Sequence, residues 1–374
     1  MKTKHLETND FRPGAVYKIP EAPHCVLWDI TSQCNQRCKF CYNAAETFTA
    51  RQVSTDTTSR ILHVLIKWGI KEIIYLGGEP LLLPALPELL QIGHSHKLSQ
   101  RIITNGSVLD MAKARTFSHS DVEVGVSLHG TDPKIHDKLT RTQGSYAKAL
   151  DALGNLESAD CRWYVQFTPT RFSNTLLQSA SRLKNSFPRL RLIDVNRLLP
   201  HGIGAESANT LFLSKQEWWQ CLKEIPAVKQ MGIDVSIESF PHCWIRNRAK
   251  EENLSDDTVE QILGSVRPCF MGINQIALTQ KGEFKLCPGG SACTESILEI
   301  DPQFLWHHHP VLIARRQFSF LPKRCVSFSS QRACKFFYRC CGGCKMADQL
   351  SSAQIPIADP LIDSHLNTSP CNSP

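Results

Sequence analysis

The placement of sixteen cysteines along 374 residues constrains this chain more than any other feature. Three stand close together at Cys34, Cys38 and Cys41, and nine lie between Cys269 and Cys371. In a secreted chain such numbers would indicate disulfides; in a reducing compartment they indicate metal. The N-terminal stretch MKTKHLETNDFRPG is polar and lacks the apolar core of a signal peptide. No apolar run reaches the length of a membrane span. A cytoplasmic protein with metal-bearing cysteines, and no membrane partner, is therefore expected. The net charge of +7 is mild for this length and comes without a Lys/Arg block. It gives nucleic-acid binding no support, but suits an acidic redox partner or an acidic peptide.

Between the two cysteine regions, strand-like and helix-like segments alternate. Apolar, β-rich runs fall at 25–30, 73–76, 101–104, 122–128, 163–168 and 190–195, with helical patterns at 57–68, 84–97, 145–157 and 174–186. Such alternation predicts a parallel α/β sheet with right-handed crossovers, here a partial (β/α)6 TIM-like barrel. Residues 246–263 are charged and predict a partly helical connector. The expected division is an N-terminal extension (1–23), the barrel (24–245), a connector (246–264) and a small C-terminal cysteine-rich domain (265–374). Cys25, Cys161, Cys221 and Cys243 have no metal spacing and are expected to be packed thiols. His307-His308-His309 is expected to be a solvated loop.

The spacing Cys34-x3-Cys38-x2-Cys41 directly follows the first strand. Gaps of three and two residues let a backbone curl around an iron–sulfur cube, for which thiolates are the usual ligands. Three local thiolates leave one iron open for a ligand. A structural zinc site usually needs paired cysteines with a distant second pair, which this triplet does not provide.

WDITSQCNQRCKFCYN resembles the signature of the radical S-adenosylmethionine (SAM) superfamily. The resemblance continues with Gly77-Gly78-Glu79-Pro80 after the second strand, Thr104-Asn105-Gly106 after the third, and Ser127-Leu128-His129-Gly130 after the fourth. His136-Asp137, Arg141 and the following GSYAKAL resemble a segment of the peptide-modifying branch, in slightly loose register. Arg197 through Gly204 resembles its RxxPxGxG stretch. The resemblance implies a [4Fe–4S] cluster on Cys34, Cys38 and Cys41 with SAM on its open iron. Phe40 would lie against the adenine. Gly77, Gly78, Glu79 and Pro80 would hold the SAM amino group, and Ser127 and Arg141 its carboxylate; Asn105 would complete the cofactor site. His129 stands where the family more often has aspartate.

The C-terminal pattern, Cys269-x12-Gly282-x4-Cys287 followed by Cys325, Cys334, Cys340, Cys344 and Cys371, resembles the SPASM extension. Its first part reads as a β-hairpin turning at Lys281-Gly282. The Cys325–Cys334 gap is longer than in the family. The resemblance implies two auxiliary [4Fe–4S] clusters, one on Cys269, Cys287 and Cys344, with Cys293 or Cys341 or an open iron completing it. The other would use Cys325, Cys334, Cys340 and Cys371. A zinc ribbon on Cys340, Cys341 and Cys344 is the competing reading.

Together these implications describe a peptide maturase. It would cleave SAM reductively to a 5′-deoxyadenosyl radical, take hydrogen from a ribosomal precursor peptide and form a cross-link, either a cyclophane-type C–C bond or a thioether. Flavodoxin or ferredoxin would supply electrons. The segment before the first strand is expected to be too short for a leader-recognition domain, so that the leader would bind elsewhere or through a separate leader-recognition protein. The alternatives are a sulfatase-type maturase oxidising Ser or Cys, a small-molecule cofactor-biosynthesis enzyme, and an electron-transfer iron–sulfur protein. No catalytic base is identified; Asp194 and Glu238, near strand ends, are as readily structural ion pairs.

Overall fold

The computed structural model describes residues 19–43, 48, 49, 51–173 and 175–320, with backbone alone for 317–320. Six parallel strands appear where the alternation places them: β1 (Cys25–Thr31), β2 (Glu72–Gly77), β3 (Ser99–Thr104), β4 (Val122–Leu128), β5 (Arg162–Phe167) and β6 (Leu192–Val195). The intervening helices are α1 (Thr55–Trp68), α2 (Leu86–Ser95), α3 (Met111–His119), α4 (Pro133–Thr140), α5 (Ser145–Ser158) and α6 (Leu176–Ser186). α1 shows why these segments are helical. Ser54 accepts a hydrogen bond from the Thr57 N–H, and Gly69 ends the helix at φ 99°. Ile61, Leu62 and Leu65 form its buried stripe.

Two parallel strands, β7 (Asp234–Glu238) and β8 (Val266–Arg267), continue the sheet beyond β6. They escape sequence reading because β7 alternates polar and apolar residues over a short span and β8 has two residues. Helices His242–Glu251 and Asp256–Leu263 lie between them. Trp244, Ile245, Ala249, Val259, Ile262 and Leu263 are buried beneath the charges that made this stretch resemble a connector.

The expected hairpin is present as β9 (Gln275–Leu278) and β10 (Glu283–Lys285), followed by β11 (Ala292–Ser296). It does not stand apart from the barrel. β9 pairs in parallel with β1, giving one sheet of order β11-β10-β9-β1-β2-β3-β4-β5-β6-β7-β8. The histidine tract is not a loop: His307 and His308 end the helix Pro302–His308, and His309 is buried.

Strand alternation divides the sheet into two faces. Val26, Trp28, Ile30, Ile73, Tyr75, Val124, Val126, Val165 and Ile193 face the helices in one apolar core. The opposite, concave face carries polar residues and the site. Trp28 fixes the hairpin to the barrel: it is fully buried, and its Nε1–H donates to the Thr279 carbonyl at 3.1 Å. Trp28→Ala should destabilise the apoprotein by about 3–5 kcal/mol, read by chemical denaturation, because it empties the core at the barrel–hairpin seam.

Candidate metal and cofactor site

The loop after β1 is shaped by its neighbours. Arg37 and Lys39 N–H groups donate to the Thr140 and Leu139 carbonyls at the end of α4, at 3.3 and 2.9 Å. The Asn105 amide donates to Asn35 Oδ1 at 2.9 Å, and the Asn35 amide donates to the Ser107 hydroxyl at 2.7 Å. Ile203 and Gly204 N–H groups donate to the Asn43 and Cys41 carbonyls. A Cβ on Gly202 would stand 2.3 Å from the Asn43 oxygen, so this residue admits no side chain. Three of the sequence segments that resembled family motifs thus converge on one loop.

Gly77 and Gly78 serve that loop directly. A Cβ on Gly77 would meet the Thr31 oxygen at 2.3 Å, and one on Gly78 the Gln33 oxygen at 2.0 Å. The Gly78 and Glu79 N–H groups bond those same carbonyls at 2.8 and 2.7 Å. The glycines therefore let the chain approach itself. Pro80 is buried and opens a single 3-10 turn. Glu79 is 1% exposed and accepts from the Leu81 N–H (3.0 Å), the Thr104 hydroxyl (2.6 Å) and the Asn105 N–H (2.8 Å). A carboxylate offers about four lone-pair sites, so capacity for one further donor remains. Burial raises its carboxyl above the usual range, against those three bonds.

Cys34, Cys38 and Cys41 are half-buried and act on one another. Burial pushes all three thiols up, Cys41 to about 11, and for Cys38 the charges of Cys41 and Cys34 add to the rise. Three thiols packed this way resist ionisation until a cation shares the pocket, which fits the donor set of an iron–sulfur cluster. Among the described residues no three His, Cys, Asp or Glu side chains are gathered for a single metal ion; a cube spreads its ligands over separate corners. Arg141, in the left-handed conformation at φ 53°, puts its charge near Cys38. The Gln36 Nε2 is buried in this loop without a partner among the described residues.

Phe40 packs edge-on against His129, with ring centroids 4.4 Å apart, and His129 stacks on His136 at 5.3 Å. The His129 Nδ1 is buried without a partner among the described residues. Asp137 holds the start of α5 in place, accepting from the Gly144 and Tyr146 N–H groups and the Ser145 hydroxyl. Ser127 is half-buried, and strand register sets it beside Gln166, Asp194 and Ser236 on the concave face. That face is ionic: Arg101 bridges Glu72 and Glu123 at 3.0 and 2.8 Å. The structure also separates the two carboxylates left open by sequence. Asp194 is paired with Arg267, whereas Glu238, at the end of β7, accepts no hydrogen bond among the described residues.

Cys269 and Cys287 meet in one small apolar cluster with Met271, Ala277 and Leu27, while Cys293 is on β11. Cys325, Cys334, Cys340, Cys341, Cys344 and Cys371 lie outside the described residues. Cys25, Cys161, Cys221 and Cys243 are all buried. Sequence reading missed the buried polar contact that Asp29 makes with Tyr42 and Lys285 behind the loop. A lone aspartate in the apolar strand CVLWDIT was the available signal, since a buried charge needs a partner.

Two measurements check this geometry. Glu79→Gln should cost the apoprotein about 1.5–3 kcal/mol in chemical denaturation, because an amide nitrogen then faces protein donors. Acid should weaken the fold through the histidine pair. Burial pushes His136 down to about 4, against the pull of Asp137, and also lowers His129. The folded state thus refuses protons that the unfolded chain accepts. Stability is full above the unfolded imidazole value of about 6.5 and is lost as pH falls from there towards 4; His136 alone contributes up to about 3 kcal/mol. His136→Asn should flatten that part of the stability–pH curve.

Comparison with known proteins agrees with the geometry. Residues 28–167 match the Radical SAM superfamily. Mycofactocin maturase MftC of Mycobacterium ulcerans is 28% identical over 190 residues, which is 50% of this chain and 50% of that protein. The chain thus aligns with about half the length of that maturase. PqqA peptide cyclase of Gluconobacter oxydans is 19% identical over 92% of this chain and 91% of its own length. In fold, the chain resembles Streptococcus suis SuiB bound to precursor peptide SuiA, with TM-score 0.68 at 14% identity, covering 92% of this chain and 76% of that one. The thiol loop, the glycine pair at the end of β2, Asn105 and the end of α4 that hold it all lie within residues 28–167, the part of the chain that matches the radical SAM superfamily.

Proposed function

We propose that this chain is a radical SAM maturase of a ribosomal precursor peptide. The observation that carries the reading is the convergence of three mutually coupled thiols with strand-end segments on the concave face of a partial barrel. Cys34, Cys38 and Cys41 would hold the [4Fe–4S] cluster. Phe40, Gly77, Gly78, Glu79, Pro80, Asn105, Ser127 and Arg141 would form the SAM site. When bound, the reduced cluster and SAM supply a carbon radical that takes a hydrogen atom from the substrate. Glu79 retains lone-pair capacity for an ammonium, and Arg141 brings positive charge to the loop. Phe40 and His129 present an aromatic wall suited to a purine.

A peptide substrate is supported by the named activities of the relatives and by a fold shared with an enzyme seen with its precursor peptide. Cross-linking, through a C–C or thioether bond, is the proposed outcome, with flavodoxin or ferredoxin as electron donor. Cys269 and Cys287 belong to one small apolar cluster, which supports one auxiliary iron–sulfur cluster there; the second would draw on Cys325, Cys334, Cys340 and Cys371.

The test is anaerobic reconstitution. Wild-type protein should carry about twelve iron atoms if three cubes form and should release 5′-deoxyadenosine under reducing conditions. Replacing Cys34, Cys38 and Cys41 together by alanine should abolish that release and leave the auxiliary iron. Persistent 5′-deoxyadenosine would overturn the cluster assignment. Co-expression with a candidate precursor should yield a peptide lighter by two hydrogens per link; a carbonyl gain would favour Ser/Cys oxidation instead.

A further inference from the structure

The hairpin reaches the thiol loop through one buried ion pair. Lys285 Nζ donates to Asp29 Oδ2 at 2.8 Å, the two side chains being 8% and 12% exposed. The Tyr42 hydroxyl donates to the other carboxylate oxygen at 2.9 Å, and Lys285 lies 5.8 Å from the Tyr42 ring centroid. Strand register dictates the contact. Leu27 and Lys285 both pair with Ala277, so they share the concave face, and Asp29 is two residues along it. A cavity of about 460 Å³, walled in part by Asp29, Tyr42, Gln280 and Lys285, opens onto the pair.

Docking the hairpin does not need this pair, because the β1–β9 ladder and the Trp28 bond already hold it. A buried ion pair is a weak source of stability against its desolvation cost. Its position suggests a different role. Tyr42 follows Cys41 directly, and after burial and the Cys34 charge, Asp29 is among the groups that raise the Cys41 thiol. Lys285 cancels that negative charge and anchors the residue beside the ligand.

We infer that Lys285 is a positioning residue for the radical-forming site: by neutralising Asp29 and fixing Tyr42, it sets the charge that the C-terminal hairpin presents to the cluster on Cys34, Cys38 and Cys41. This rests on the reading of those cysteines as cluster ligands. Iron–sulfur potentials respond to local net charge, hydrogen bonds to sulfur and solvent exposure. Without the ammonium, Asp29 becomes an uncompensated buried charge, and the cluster becomes harder to reduce.

The experiment is a potentiometric titration of the reconstituted full chain, following by electron paramagnetic resonance the signal that changes when SAM is added. Lys285→Met should shift its midpoint to more negative potential, and Asp29→Asn to less negative potential. The double variant, which restores neutrality, should return close to wild type, and Lys285→Arg should leave the midpoint in place. If Lys285→Met loses iron, the Asp29→Asn shift decides. A wild-type midpoint in both single variants that retain the signal, or in Asp29→Asn where it alone does, overturns the inference. A wild-type protein with no SAM-responsive signal, or one whose signal survives the triple cysteine replacement, instead overturns the underlying cluster assignment.

Discussion

Gly78 lies so near the Gln33 carbonyl that a β-carbon there would stand 2.0 Å from the oxygen. This contact, with its counterpart between Gly77 and Thr31, brings the end of β2 against the chain leaving β1. The 32–43 loop must then curl over the concave face instead of continuing along the strand. The other supports of the loop follow from that turn. Asn105 meets Asn35, the α4 carbonyls meet Arg37 and Lys39, and Gly204 meets Cys41 only because the loop lies across the strand ends. Glu79 is fixed by the same geometry, buried among three donors from two strand ends.

The site therefore combines rigid backbone with unfavourable protonation chemistry. The thiols are packed where none ionises easily, and the neighbouring histidines are kept neutral by burial. Such an environment gains most from a cationic cluster, because binding relieves the mutual repulsion of the thiolates. On the same face, Arg101 is shared by Glu72 and Glu123, and Arg267 pairs with Asp194.

The parts legible in the sequence were those written in short-range chemistry. The thiol spacing, the glycine pairs at strand ends and the apolar alternation of β1 to β6 each depend on neighbours a few residues away. Two kinds of feature were not legible. Short strands such as β8 take their identity from pairing, not from composition. Long-range partners such as Lys285 and Asp29 carry no local sign of each other. Within the charged stretch expected as a connector, Ala249, Val259, Ile262 and Leu263 are buried, but charged residues outnumber them. His309 was likewise hidden, since a histidine tract gives no indication of which ring turns inward.

The parallel pairing of β9 with β1 has a consequence for the order in which the protein is made. β1 is synthesised well before the strand that covers its outer edge, which ends at Leu278. Until then one side of β1 offers unpaired peptide groups beside the thiol loop. Contacts separated by some 250 residues, such as Trp28 with Thr279, close late and slow the final assembly. Through that interval the thiol loop stays uncovered on the side where Lys285 later meets Asp29 and Tyr42.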